Sequence, residues 1–328
     1  MNTFKNYYFF KRILYCAVVF LISASITFAV LHLMPGDYIQ SLMPYIAEIN
    51  PEFSELFKEK FGLDRSLFEQ YALYITNIFQ GNWGYSFQYG APVFDIIAEK
   101  LFWTMVILLP ATVLSAVAGI VIGSYSGWKN GSKTDVCLLN AMVFIGAVPS
   151  YWWAIMAILV FSYSLGLFPL GGFVSLDALT SGIDPLDVLH HAVLPILVLT
   201  VSSIPGTYYF MRNSMLMTLG EGYILTARAK GVEEKNILRH HALKNAMLPM
   251  ITVVSLQCAH MITGSIFIET IFSWPGLGLL TFDALSARDL PLLEGIFLMD
   301  TLVVIVANFA ADLLYSMADP RIQVGSHE

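Results

Sequence analysis

Arg228 and Lys230 stand two residues apart in Thr226-Ala227-Arg228-Ala229-Lys230-Gly231. Two cations on a short helix that ends at a glycine can settle in a polar groove. They cannot attack a bond. The chemistry they offer is mechanical, that of a turn which a partner grips and displaces. Four more polar residues lie in or beside apolar runs: Gln257, His260, Glu269 and Asp300. A charge at the centre of a membrane helix costs about 2.5–3.5 kcal/mol, so function is the default reading of such residues. They are the candidates for a gate or a translocation path. Glu269 precedes Trp274-Pro275-Gly276 by about a turn, and it reads first as a brace for that structural turn, accepting backbone hydrogen bonds. Gln257, His260 and Thr263 share part of one helical face. Asn308 and Asp312, spaced i,i+4, read as structural partners for basic residues nearby.

Nothing in the chain assembles a catalytic centre. His190-His191 and His240-His241 are adjacent pairs, and adjacent side chains on a helix diverge. Cys16, Cys137 and Cys258 fall in three different apolar runs, with no disulfide or metal spacing. Gly127-Trp128-Lys129-Asn130-Gly131-Ser132-Lys133-Thr134 only approximates a phosphate-binding loop. It lacks the required spacing and leaves an apolar helix rather than a strand. The sequence therefore assigns this chain no catalytic residue, no metal and no cofactor.

The elements that must position these residues are membrane helices. The chain is 57% hydrophobic and 12% charged, about half the charged share of a soluble domain. Leu101–Trp128 and Val136–Leu176 contain no Asp, Glu, Lys or Arg. A span needs about 20 apolar residues. Six are expected, at 12–34, 102–127, 136–165, 188–211, 247–272 and 294–317, the third as one tilted or Pro149-kinked helix. The fold class is an all-α polytopic membrane protein.

Placing the N-terminus inside gives 12 Lys and Arg on inner segments and 5 on outer ones. The positive-inside rule then puts both termini in the cytoplasm. Nine acidic residues between Asp37 and Glu99 make the exterior acidic, which gives no reason to propose nucleic acid as a partner. The first apolar run continues past its small residues at Ser23-Ala24-Ser25, so it reads as a retained span rather than a cleaved signal.

Four regions follow: an N-terminal segment and first span, 1–34; a small helical extracytoplasmic cap, 35–100; a core of five spans, 101–322; and a tail, 323–328. In the cap, Asn50-Pro51 opens a short helix to about Lys60. Asp64 caps a second, Arg65–Gln80, with Phe68, Tyr71, Ala72, Ile75 and Phe79 on one face. Gly81–Ser86 is a turn or short extended piece, and Pro92–Lys100 an amphipathic helix leading into the second span. The inner loop 212–246 reads as helix, Gly231 turn, helix, since glycine accepts the left-handed conformation at a helix end.

Ala227-x-Ala229-Lys230-Gly231, with Pro249 eighteen residues beyond the glycine, resembles the EAA coupling motif of ABC importer permeases. The form is that of the dipeptide/oligopeptide/nickel permease family. Leu225 stands where the motif's glutamate is usual. Leu33-Met34-Pro35-Gly36-Asp37, Phe61-Gly62-Leu63-Asp64, Gly81-x-Trp83-Gly84-x-Ser86, Ile268-Glu269-x-Ile271-Phe272-x-Trp274-Pro275-Gly276 and Asp319-Pro320-Arg321 are similar to that family too. Tyr38 departs from its common proline. The likeness runs from about residue 11 to 322.

The resemblance implies a type I ABC importer architecture in a prokaryotic cytoplasmic (inner) membrane, surrounded by membrane lipid. It also implies partners: a second homologous permease, two cytoplasmic ATPase subunits that bind ATP and Mg, and an extracytoplasmic solute-binding protein. The turn 226–231 would dock on an ATPase. Peptides are the first substrate class expected, with nickel or a metal chelate, and oligosaccharides, as alternatives. A stand-alone carrier or channel is the rival of a different class.

Overall fold

The computed structural model describes the backbone of residues 2–33, 64–86, 88–178 and 182–318; side chains at 2–11, 258–260, 262–264 and 311–318 fall outside the description. Among the described residues the regular structure is helical apart from one small hairpin. Its elements are α1 (Asn2–His32), α2 (Leu67–Phe79), β1 (Tyr85–Ser86), β2 (Ala91–Pro92), α3 (Val93–Trp128) and α4 (Lys133–Ala147). Next come α5 (Ser150–Ala157), which continues as a π turn over Ile158–Ser164, α6 (Pro185–Leu219) and α7 (Gly222–Ala229). Glu234–Asn236, a π turn Ile237–Leu243 and Lys244–Ala246 together form α8, followed by α9 (Leu248–Ile271), α10 (Leu277–Ala287) and α11 (Leu290–Ala318).

Among the described residues four stretches are long and apolar enough to cross a membrane: Arg12–His32, Val93–Trp128, Pro185–Leu219 and Leu290–Ala310. A fifth is the pair Lys133–Ala147 and Ser150–Ser164, bent by 90°. The third apolar run is thus broken, not merely kinked. Val148, held extended by the proline that follows it, ends α4, and Pro149 opens α5. α9 is 24 residues long.

Two compact units form: Met1–Phe102 with Leu279–Ile305, and Trp103–Gly278 with Val306–Glu328. In the first, Ala24 of α1, Ile78 of α2 and Leu298 of α11 share a small core. Ser23 and Thr301 add a hydrogen bond of 2.7 Å between their hydroxyls. α2 starts two residues later than expected, because the cap is Ser66 and not Asp64. Ser66 and Glu69 form a capping box, each side chain serving the other's backbone N–H. β1 and β2 pair antiparallel, Tyr85 with Pro92 and Ser86 with Ala91. The expected separate helix 92–100 is instead the first part of α3, which runs without interruption to Trp128. The Asn50-Pro51 helix, Pro35-Gly36-Asp37 and Asp319-Pro320-Arg321 lie outside the described residues.

The second unit is built on α6. Its start is set by Asp184, whose carboxylate accepts from the Leu186 N–H at 3.0 Å, and by Pro185 at the first helical position. α3 presents Gly119, Gly123 and Gly127 to α6 at four-residue spacing. A Cβ on Gly123 would lie 2.7 Å from the Tyr208 carbonyl oxygen, and one on Gly119 2.6 Å from Thr207 Cβ. Such a stripe lets two helices meet backbone to backbone where no water drives them together.

Candidate functional site

Residues 222–232 make the clearest device in the second unit. α7 ends in a Schellman motif. The Gly231 N–H donates to the Arg228 carbonyl at 2.9 Å and the Val232 N–H to the Ala227 carbonyl at 3.1 Å. That closure needs a left-handed residue, and Gly231 has φ of 76°. A Cβ there would meet nothing within 4 Å, so glycine is required for its conformation and not for space. Thr226 Oγ1 donates to the Gly222 carbonyl at 3.0 Å. Arg228 pairs with Glu234 across the turn, Nε to Oε1 at 3.0 Å. That pair is exposed, so little stability follows from it. It does hold the two arms in register.

Sequence spacing decides which face of α7 looks inward. Ile224 and Ala227, three apart, are buried. They pack with Met211 and Met215 of α6, Ile237, Ala242 and Ala246 of α8, and Met250 of α9; Ile120 and Trp128 of α3 border the same cluster. Leu225, Thr226, Arg228, Ala229, Lys230 and Gly231 are all exposed. The outward face of α7 is thus joined through one apolar core to α3, α6, α8 and α9. Beside the turn opens a cavity of about 640 Å³, lined in part by Phe210, Asn213, Met217, Tyr223, Asn245 and Pro249.

A second assembly lies at the opposite end of α9. Glu269 is fully buried. Its Oε1 accepts from Thr104 Oγ1 of α3 at 2.9 Å, and its Oε2 from the Gly278 N–H at 2.6 Å. Thr104 Oγ1 in turn accepts from the Leu277 N–H at 2.7 Å. Trp274 is also fully buried; its Nε1 donates to the Trp103 carbonyl at 2.8 Å, with the two indoles edge to face. The backbone between is tight. Ser273 sits at φ of 51°, and the Trp274 N–H donates to the Glu269 carbonyl at 2.8 Å. At Gly276 a Cβ would run into the Glu269 carboxylate and into Thr104 Oγ1, and at Gly278 it would lie 2.6 Å from Ile266 Cα. Glu269 is the centre of a latch that folds Trp274-Pro275-Gly276 back onto α3.

Gln257 is likewise committed to helix contacts. Its Nε2 donates to Ser115 Oγ at 3.1 Å and to the Ser203 carbonyl at 3.3 Å, and its Oε1 accepts from Thr207 Oγ1. α3, α6 and α9 meet at this one amide. The His260 side chain, like those of Thr263 and Asp312, lies outside the described residues. Asp300 belongs to the first unit, on α11, and its Oδ1 is buried with no hydrogen-bond partner among the described residues. His190 and His191 diverge, to the Leu167 and Asp187 carbonyls. Among the described residues no three His, Cys, Asp or Glu converge as metal ligands would.

Sequence spacing gave no sign of one further cluster. Arg212, expected only as an inner-side cation, grips Asp135 with two hydrogen bonds of 2.8 Å. Asp135 also accepts from Ser126 Oγ of α3 and, at 3.0 Å, from the Gly131 N–H. Ser126 and Tyr208 share a further bond of 2.7 Å. This pair ties α3, α4 and α6 together within a turn or two of the apolar cluster under α7. An acidic residue just after a Lys-rich turn was the only available signal.

Residues 119–324 match the family described as binding-protein-dependent transport system inner membrane component, and residues 6–108 match that family's N-terminal region. The chain belongs to this family. It is 35% identical over 319 residues to the oligopeptide transport system permease protein AppB of Bacillus subtilis strain 168, covering 96% of this chain and 99% of that one. It is 34% identical over 316 residues to the dipeptide transport system permease protein DppB of Escherichia coli K12, covering 91% and 93%. Among solved structures, an inward-facing MetNI methionine ABC transporter chain aligns with a TM-score of 0.53. The alignment has 15% identity and covers 69% of this chain and 97% of that chain, a likeness of fold. As a member of this family the chain is a multi-pass membrane permease component.

Proposed function

We propose that this permease carries peptides into the cytoplasm as one subunit of an ATP-driven importer. It would have six spans, both termini inside, and a place in a bacterial inner membrane. Peptides are the cargo for which the Bacillus and Escherichia relatives are named. A second permease, two ATPase subunits and a solute-binding protein complete the assembly. ATP and Mg belong to the ATPases.

The observation that carries this reading is the two-faced α7. Its exposed cations and Gly231 turn are available to an ATPase groove, while Ile224 and Ala227 are set into the core shared by α6, α8 and α9. α9 spans about 36 Å at 1.5 Å per residue. It is fixed at one end to the coupling cluster and at the other to the Glu269 latch. α3 is held at the same two places, by Trp128 and by Thr104. Helices tied at both ends move as a body. Closure of the ATPases would then tilt this unit between inward-open and outward-open states. Asp300, with a buried oxygen in search of a donor, is the residue we place on the translocation path.

The test is reconstitution of the complete importer in proteoliposomes with labelled di- and oligopeptides outside and ATP inside. Uptake that requires ATP, the ATPases and the binding protein is expected. Peptide flux through this chain alone, without ATP, would replace the reading with a stand-alone carrier.

A further inference from the structure

The chain between α5 and α6 is pinned to the second unit at several points. Ser162 Oγ donates to the Pro169 carbonyl at 2.8 Å. His190 Nε2 of α6 lies 3.0 Å from the Leu167 carbonyl oxygen, which can only accept from it. The Gly172 N–H donates to the Phe272 carbonyl at the end of α9 at 2.8 Å, and the Ser175 N–H to the Asp187 carboxylate of α6 at 2.6 Å. Phe173 packs edge to face on Trp103 of α3, with centroids 5.0 Å apart. Gly171 lets the chain lie this close, since a Cβ there would fall 2.9 Å from the Phe272 carbonyl oxygen. Residues 166–175 are therefore a strap and not a free loop.

The other side of the strap is apolar and bare. Leu165, Leu167, Leu170 and Leu176 are each more than half exposed. Residues 136–176 contain no Asp, Glu, Lys or Arg, and the first charge beyond them is Asp177, which is exposed. Single exposed leucines are ordinary, but four so close together with no charge among them make a patch. The patch continues onto α6. Leu186, Leu189 and Leu197 form an exposed stripe on that membrane-crossing helix, and the His190 bond sets Leu167 beside it. Tyr163, just before the strap, is 75% exposed, and tyrosine gathers where hydrocarbon gives way to headgroups.

Depth follows from α6. Arg212, bound to Asp135 and Asn130, marks where the helix leaves the membrane at one end. About 20 residues cross a hydrocarbon core of about 30 Å, so the other limit falls at roughly Ala192. Asp187 and His190, which hold the strap, stand roughly 3–8 Å beyond that limit at 1.5 Å per residue. The headgroup layer is about 5–7 Å thick on each side. The strap lies at that level.

We propose that the strap is seated in lipid, its leucines laid into the headgroup boundary while its glycines rest on α9. In the orientation proposed above this is the outer leaflet. The strap thereby joins the bilayer surface to the Trp103 and Phe272 side of the Glu269 latch. The seating needs only the membrane that this family occupies, and neither a cargo nor a transport direction.

The experiment places spin labels at Leu167→Cys and Leu170→Cys, one at a time, in the full chain in phosphatidylcholine nanodiscs, with Cys16, Cys137 and Cys258 replaced by Ala. Collisions with oxygen, which concentrates in lipid, are compared with collisions with water-soluble chromium oxalate. Leu197→Cys gives the lipid standard and Asp177→Cys the aqueous one. Both strap labels are expected to favour oxygen several-fold more than the Asp177 label does, and to fall between the two standards. Strap labels that match the Asp177 label would overturn the proposal. The measurement is repeated in the complete importer. Oxygen access that persists there supports lipid seating; loss of both kinds of collision would mean that a protein partner covers the patch, and would overturn it. Leu176→Cys takes the place of either site if its label costs the chain its monodisperse peak. None of these readings depends on peptide uptake.

Discussion

Thr104 and Glu269 are 165 residues apart in sequence and both fully buried, and the threonine hydroxyl donates to the carboxylate at 2.9 Å. The same hydroxyl accepts from the Leu277 N–H. One small side chain thus joins α3, α9 and the start of α10. Replacing Thr104 by Val keeps the shape and removes both bonds. The expected cost is about 1–3 kcal/mol, that of disturbing a buried polar group. Thr104→Ser should recover most of it. Thermal unfolding in detergent checks this, and a Val variant as stable as the Ser variant would count against the latch.

Asp135 and Arg212 form a buried bidentate pair. Removing one partner strands the other, which costs roughly 3–5 kcal/mol at buried sites. Arg212→Ala and Asp135→Asn should each lower the unfolding midpoint. Lysine cannot reproduce the fork geometry, so Arg212→Lys should rescue only in part. Full rescue by lysine would mean that charge alone matters here.

Gly123 packs against the backbone of α6, and a Cβ there would strike the Tyr208 carbonyl. Overpacking costs about 1–3 kcal/mol where a side chain can adjust, and backbone adjusts less readily. Gly123→Val should yield little folded protein, measured by size-exclusion chromatography. A monodisperse variant of normal stability would contradict the close α3–α6 approach.

Asp289 accepts from Ser86 Oγ at 2.6 Å and from the Leu292 N–H at 3.3 Å, which caps α11. Burial nevertheless pushes its carboxyl above the usual range; the hydrogen bonds from Ser86 and the backbone oppose this. A carboxyl with a raised folded-state value contributes stability that is fully present below about pH 3.9, its unfolded value. That contribution is lost as the pH rises through the folded value. Asp289→Asn retains a capping oxygen and carries no charge. Relative to the wild type, the variant should gain stability as the pH rises from about 4 to 7. Parallel pH–stability curves would show that Asp289 does not titrate differently in the fold.

The shape of the Gly231 turn was legible because its signals are local. A Gly after a short helix and the charges of Arg228 and Lys230 lie within ten residues. Glu269 was legible as a brace because it stands one turn before a Trp-Pro-Gly turn. Thr104 and Arg212 were not, since their partners come from 165 and 77 residues away and polar pairing leaves no periodic trace. The Ser66 cap lost to Asp64 in the sequence reading, although Glu69 three residues on marks a capping box. The 90° break at Val148-Pro149 was underestimated, because uniform apolarity hides where one helix stops and another begins. α10 was hidden for the same reason, merged between the Pro-Gly turn and the last span.

The central claim is that force enters through the Gly231 turn, and transport per ATP hydrolysed by the reconstituted importer tests it most directly. Asn tolerates the left-handed conformation and Val does not. Gly231→Asn should keep most peptide uptake per ATP, whereas Gly231→Val should cut it about tenfold or more, from roughly 1–2 kcal/mol of strain in the turn. Gly231→Val importing as many peptides per ATP as the wild type would contradict the account.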